Sequence, residues 1–307
     1  MFGVGQEFEG YGSKYSAVYS VLQKLPTHSL VVLSDGRDVL INNPAFTDKY
    51  VSTSATDFRA AFNALTANYP GAIVISAEAQ CCVSALTHVA PGGYYNANGS
   101  RNDRACSSGE ADCLWDGDEK ALPWESFMKD LAIQRSNENY DDVYLNAGLM
   151  AGTAGDLLHL IEQAGIGKDE DDQAVLTDFM YTRPGSIVLD YGQTMFGNNR
   201  GGIGGMEDGG CAFALLQNDG EHERLIHSKT LSTPLFVHSP GGFLQCHDDL
   251  ASKLGVKAVA KTARRRLKIF NGNLLGDKSG CNYKTICLGD QEGILGLGIG
   301  SKLRGGK

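Results

Sequence analysis

The sequence predicts an α/β fold: a sheet with helices on its faces, and ligands held at the carboxyl ends of its strands. Two apolar runs and the segment between them predict it. Leu30-Val31-Val32-Leu33-Ser34 and Ala72-Ile73-Val74-Ile75-Ser76 are short, continuous and β-branched, as strands buried on both faces are. Between them, Asp57 to Asn68 places Phe58, Ala61, Phe62 and Leu65 at helical spacing, and Pro70-Gly71 then breaks the helix. Strand, helix and strand in that order form a βαβ unit, which implies a parallel sheet.

Further elements follow along the chain. Tyr144-Leu145-Asn146-Ala147-Gly148-Leu149-Met150 reads as a strand, with a glycine where something approaches closely. Thr153 to Gln163 carries Leu157, Leu158, Leu160 and Ile161 on one side of a helix. Asp171 to Tyr181 opens with acidic residues, as a helix N-terminus prefers. Ile187 to Asp190, Cys211 to Leu216 and Leu235 to Val237 are further strands, and Phe243 to Leu254 and Ala258 to Phe270 are helical. Cys81 to Ser126 is polar, rich in Gly, Asn and Asp, and without period, which predicts a long functional loop.

The bulk numbers bound the function. The 307 residues, 42% of them hydrophobic, suffice for one large domain or two small ones at roughly 100–200 residues each. The net charge of −9 is uneven: 251–307 holds 12 Lys and Arg against 3 Asp and Glu, leaving 15 against 33 in 1–250. We divide the chain there, into a main domain at 1–250 and a basic, Gly-rich extension at 251–307. An acidic body argues against a nucleic-acid partner and suits a divalent metal or a basic substrate. Arg264-Arg265-Arg266 reads first as a solvated helix face. No apolar run approaches the roughly 18–20 residues of a membrane span. The opening Met1-Phe2-Gly3-Val4-Gly5 lacks the basic and apolar regions of a signal peptide. None of the 8 cysteines has CxxC spacing. The pairs Cys106/Cys113 and Cys281/Cys287 are spaced for small disulfide loops, and the sequon Asn98-Gly99-Ser100 points, like them, to a secretory compartment.

The most informative local feature is Leu33-Ser34-Asp35-Gly36-Arg37-Asp38-Val39-Leu40. Two carboxylates just past a buried strand can hold Mg²⁺ or Mn²⁺, whose hard character suits carboxylate and phosphate oxygens. An aspartate that caps the next turn is the equally weighted alternative. The Asp-x-x-Asp spacing disfavours a phosphatase of the Asp-x-Asp type, and neither a phosphate-binding P-loop nor a G-x-S-x-G elbow is present. His238 ends a strand before the turn-rich Ser239-Pro240-Gly241-Gly242 and joins the metal candidates by that placement. Asp169-Glu170-Asp171-Asp172 packs four carboxylates together, a repulsive cluster that something positive must offset unless it is only a solvated helix start.

In this order the segments resemble the glycosyltransferase domain of procollagen lysyl hydroxylases. They are Gly3-Val4-Gly5-Gln6-Glu7-Phe8, Asp35-Gly36-Arg37-Asp38, Ser76-Ala77-Glu78, Cys81-Cys82, Tyr144-Leu145-Asn146-Ala147-Gly148, Asp171-Asp172-Gln173 and Phe236-Val237-His238. The likeness runs from about Gly3 to Gly242. It implies a GT-A type, Rossmann-like mixed sheet flanked by helices. It also implies a UDP-sugar donor, and Mn²⁺ (or Mg²⁺) held by Asp35, Asp38 and His238. Lys14, Phe8, Arg37 and Gly241 would line the donor site. Asn146, Asp171 and Asp172 would face donor sugar and acceptor, with Asp172 orienting or deprotonating the acceptor hydroxyl or steadying positive charge on the sugar ring. The implied activity is transfer of glucose or galactose to a hydroxyl on a protein or glycan, including (galactosyl)hydroxylysine of collagen-like chains, in the lumen of the endoplasmic reticulum or Golgi.

The sequence departs from the family in places. Arg37 stands where the family has an aromatic residue, Phe8 and Cys82 where it has Trp, and Ser239-Pro240 where it has Gly-Asn. These changes bear on sugar and acceptor identity more than on metal binding. The family's first strand and helix precede the segment matching Gly3. The expectation is therefore a sheet with an open edge, or one filled by another segment such as Gly293 to Gly300. Two other functions compete: a catalytically inactive domain of the same fold that only binds, and a metal-dependent phosphohydrolase.

Overall fold

The structure is a computed structural model. It describes residues 10–35, 38–42, 48–79, 85–86, 89–96, 98–102, 122–136, 140–199, 211–218, 222–240, 244–253, 266–267 and 281–282. Mixed parallel and antiparallel sheets are flanked by helices, an α/β architecture.

The main sheet has four strands in the order β1-β4-β3-β5, where β1 is Leu30–Ser34, β3 Ile73–Glu78, β4 Tyr144–Thr153 and β5 Ile187–Asp190. β3 and β5 are parallel, while β4 runs antiparallel to both β1 and β3. The predicted βαβ unit is thus corrected in one respect. β1 and β3 point the same way, but β4 lies hydrogen-bonded between them. Among the described residues β1 pairs only with β4, so its other edge carries no strand there. The segment 293–300, offered as a filler, lies outside the described residues.

The two faces of β3 show why its sequence is apolar throughout. Ile73, Ile75 and Ala77 join one core with Tyr15, Val18 and Leu22 of α1 (Ser13–Leu22), and with Trp124 and Met128 of α3 (Leu122–Ser136). Leu157 and Leu160 of α4 (Ala154–Ala164) and Val175, Leu176 and Phe179 of α5 (Asp172–Thr182) complete it. Val74, on the opposite face, joins Phe58 and Phe62 of α2 (Asp48–Thr66) and Phe196 of β6 (Phe196–Asn198). The strand's period of two sends alternate side chains into two separate cores.

A second, three-stranded sheet has the order β2-β9-β6, with β2 at Val39–Ile41 and β9 at Phe236–His238. β2 is antiparallel to β9 and β6 parallel to it. Asp190 joins the two sheets. Its buried carboxylate accepts the backbone N–H groups of Thr194, Met195 and Phe196 at 2.7–2.9 Å, which turns the chain from β5 into β6. The hairpin of β7 (Phe213–Asn218) and β8 (His222–His227) packs with α6 (Leu244–Lys253) beneath β2, and a Cys211–Cys246 disulfide ties the two together.

Other expectations are refined. α2 begins nine residues before the predicted helix, at Asp48. α3 starts at Leu122, inside the stretch read as a long loop; Pro123 in its first turn has a φ already suited to a helix. The helix expected over Ala258 to Phe270 is contradicted at Arg266–Leu267, which pair as a short strand β10 with β11 (Cys281–Asn282). Extended pairing there leaves those two residues outside any i to i−4 ladder. Cys81, Cys82, Cys106, Cys113 and Cys287 lie outside the described residues. No helix among the described residues is long and apolar enough to cross a membrane.

Candidate metal centre

Three strand ends converge on one spot. Asp35 follows β1, Asp38 precedes β2 and His238 closes β9. One ligand atom from each lies within 4.8 Å of the others. Asp38 is set opposite His238 by the ladder, since Val39 pairs with His238 and the Ser239 N–H donates to the Asp38 carbonyl at 2.9 Å. His238 is buried and Asp35 remains open to solvent, so the cluster has one sealed and one accessible side.

The residues fit a cation on the evidence of their own atoms. Asp38 Oδ1 and His238 Nδ1 are buried and have no hydrogen-bond partner among the described residues. His238 Nε2 stands 3.5 Å from Asp38 Oδ1, too far for a well-formed hydrogen bond. Buried polar atoms left unpaired are costly, and two oxygens with one imidazole nitrogen are a suitable donor set for Mn²⁺ or Mg²⁺. Burial works to raise the Asp38 carboxyl, but His238 beside it outweighs that and holds it below the ordinary value. Burial raises the Asp35 carboxyl, partly offset by Lys14 and His238.

The glycine expected to mark a close approach in β4 does so, and the approaching group is the histidine. A Cβ on Gly148 would stand 2.3 Å from His238 Cε1 and 2.8 Å from its Nδ1. Gly148 sits in an irregularity of β4. Ile75 pairs with Met150, but the next residue, Ser76, pairs with Asn146, so Ala147 to Leu149 leave the β3 ladder. Such bulges re-aim the chain beside sites. Backbone groups on both sides of this irregularity bond site residues. Gly148 O accepts from the Asp35 N–H at 2.8 Å, and Gly148 N donates to Asn146 Oδ1 at 3.0 Å. Ala147 O accepts from Lys14 Nζ at 3.2 Å, and Ala147 N donates to Gln173 Oε1 at 3.2 Å.

Lys14, on the first turn of α1, bridges two carboxylates: Asp172 at 2.7 Å and Asp35 at 3.3 Å. Burial acts to lower its ammonium, but Asp172 and Asp35 more than compensate and raise it. Asp172 is buried, and Tyr15 Oη donates to its Oδ2 at 3.0 Å. Lys14, Asp35 and Asp172 therefore meet. Asn146 is also adjacent, packed into a buried polar network with Glu78 and Gln173, where Gln173 Nε2 donates to Glu78 Oε1 at 2.7 Å.

Asp171 is placed differently. Its carboxylate accepts the Ala174 N–H at 3.1 Å as the N-cap of α5. The acidic run is offset from within: Glu170 pairs with Arg101, and Asp172 with Lys14. Phe8, Arg37 and Gly241 lie outside the described residues.

Sequence reasoning missed Tyr15, and it gave Gln173 and Glu78 no role of their own. Glu78 ends β3, and the ends of sheet strands are where such groups gather. Burial pushes its carboxyl up to about 7, with Asn146 and Gln173 pulling the other way.

Fold and site together define a mixed-sheet α/β protein with a carboxylate–imidazole cluster at its strand ends. No protein-family model matches the chain, and no curated protein matches it either.

Proposed function

We propose that the chain is a metal-dependent glycosyltransferase of GT-A type, moving glucose or galactose from a UDP-sugar to a hydroxyl acceptor. The observation that carries this reading is the convergence of Asp35, Asp38 and His238, with unpaired buried ligand atoms, beside the Lys14–Asp172 pair. Asp35, Asp38 and His238 would hold a divalent cation, which would supply charge neutralisation for a diphosphate leaving group.

The protein's own groups supply the rest. Lys14 already lies between the cluster and Asp172, within reach of an anion placed against Asp35. An arriving diphosphate competes for its ammonium and frees the Asp172 carboxylate. Tyr15 keeps that carboxylate oriented for an acceptor hydroxyl. The acidic body suits a basic acceptor, which includes hydroxylysine-bearing, collagen-like chains. The Cys211–Cys246 disulfide supports work in the endoplasmic reticulum or Golgi lumen.

Calorimetric titration of UDP, with Mn²⁺ and then with EDTA, tests the reading. We expect binding with Mn²⁺ that EDTA abolishes and that Asp38→Ala removes while the fold is kept. Metal-dependent binding that survives in Asp38→Ala overturns the site. Asp172→Asn is expected to keep UDP binding and to lower transfer from UDP-glucose or UDP-galactose. Binding without any transfer identifies an inactive binding domain instead. Release of phosphate without sugar transfer identifies a phosphohydrolase.

A further inference from the structure

We propose that Asn98 is an N-glycosylation acceptor, modified as the chain passes through an oxidising secretory compartment. This inference is independent of the glycosyltransferase reading and concerns a different surface. Asn98-Gly99-Ser100 is the one sequon in the chain, and the triplet alone would be weak. Its conformation and surroundings supply what the motif lacks.

The triplet forms the tip of a tight turn closed by a bridge between Tyr95 and Arg101. The Asn96 N–H donates to the Ser100 carbonyl at 2.8 Å, and the Gly99 N–H to the Asn96 carbonyl at 2.7 Å. Asn98 and Ser100, the two side chains an oligosaccharyltransferase must reach, are both exposed. The residue between them has φ +80°, a conformation that glycine takes without strain. Ser100 N and Oγ both donate to Asn98 Oδ1, at 3.0 and 2.7 Å, forming an Asx turn. Those bonds fall on the amide oxygen, which is not modified. By drawing electron density towards that oxygen they favour loss of a proton from Nδ2, which is.

The turn is anchored from below. Arg183 donates to the Gly99 carbonyl, and Asn96 Nδ2 donates to Ser100 Oγ and the Arg101 carbonyl. Arg101 in turn pairs with Glu170. A glycan on Asn98 therefore projects from a fixed turn into solvent, and folding does not have to bury it. The second, independent observation is the Cys211–Cys246 disulfide. Disulfides form and persist in the compartments through which N-glycosylated chains travel.

The reaction is a substitution at carbon. Asn98 Nδ2 attacks the anomeric carbon of a lipid-diphosphate-linked oligosaccharide. The carbon–nitrogen bond forms as the bond from that carbon to the diphosphate oxygen breaks. The lipid diphosphate leaves with the electron pair, and the amide proton passes to a base of the membrane-bound transferase. Nothing is oxidised or reduced.

The test directs the full chain into the secretory pathway of a cultured eukaryotic cell. Electrophoretic mobility is read with and without peptide-N-glycosidase, and the Asn98 peptide is weighed after release in ¹⁸O water. The state of Cys211 and Cys246 is read by thiol alkylation in the same sample. We expect an oxidised pair, one enzyme-sensitive mobility step, and conversion of Asn98 to labelled Asp. Asn98→Gln and Ser100→Ala should each remove the step, and Ser100→Thr should keep it. An oxidised pair with Asn98 unmodified overturns the proposal, as does a step that persists in Asn98→Gln or a chain recovered with both thiols free. Should a variant fail to accumulate, the mass of the parent chain's Asn98 peptide decides alone.

Discussion

Replacing Gly148 by alanine isolates the contact that seats His238. The new Cβ would stand 2.3, 2.8 and 2.9 Å from Cε1, Nδ1 and Nε2 of the imidazole, all below any ordinary contact distance. Gly148 is not among the residues of positive φ, so the change tests space and not backbone strain. The ring is buried and has little room to retreat, which makes this an overpacking substitution costing about 1–3 kcal/mol. If the ring shifts, its nitrogens leave the position they hold beside Asp38. On the proposed site, Gly148 acts as a group that seats a ligand, and its loss should lower Mn²⁺ affinity by about 10–100-fold. Urea unfolding gives the first quantity and Mn²⁺ calorimetry the second. A double-mutant cycle then assigns the cause. In a His238→Ala background the obstructing ring is gone, so Gly148→Ala should cost under about 0.5 kcal/mol. The full penalty persisting in that background would refute the reasoning and place the obstruction in the β4 irregularity itself.

Three more outcomes are expected. Tyr15→Phe removes a buried hydrogen bond to the Asp172 carboxylate and should lower stability by about 1.5–3 kcal/mol in guanidinium unfolding, where no change would mean the bond is dispensable. Glu78 titrates at about 7 when folded against an ordinary 4.5, so the folded state binds more protons between those values. Its contribution is complete below pH 4.5 and is lost as the pH rises through 7; Glu78→Gln should flatten that part of the stability profile, measured from urea midpoints. Replacing Cys211 and Cys246 together by alanine opens a loop with a separation of 35 residues and should cost about 3–4 kcal/mol, checked by thermal unfolding under oxidising conditions.

The sequence made β3 and β5 legible because their apolar runs are buried, and α4 because its leucines repeat at helical spacing; β1, read as buried on both faces, is only half-buried, with Ser34 exposed and β4 its one partner among the described residues. The sequence did not make their adjacency legible. That β4 enters between β1 and β3 depends on pairing between segments far apart in the chain, which no local period encodes. α1 was missed although Tyr15, Val18 and Leu22 share a face, because serines interrupt its pattern. β8 was missed because its His222-Glu223-Arg224 start is polar. In the site, residue type and strand-end placement made Asp35, Asp38 and His238 each a candidate, and the family resemblance grouped the three. For Asp171 the sequence left capping open, and the hydrogen bond to Ala174 shows that it caps α5. Tyr15 was beyond reach, since its partner Asp172 lies 157 positions away.

The split of the cluster between two sheets also fixes when the site comes into being. Asp35 ends a strand of the four-stranded sheet, whereas Asp38 and His238 flank strands of the three-stranded one. Asp35 and Asp38 precede His238 by about 200 positions, a loop whose closure is slow to be rewarded by contacts. During synthesis both aspartates leave the ribosome long before β9 exists. On the proposed site, cation binding on a growing chain would thus report the arrival of β9 in its slot between β2 and β6, a built-in timer for the assembly of that sheet.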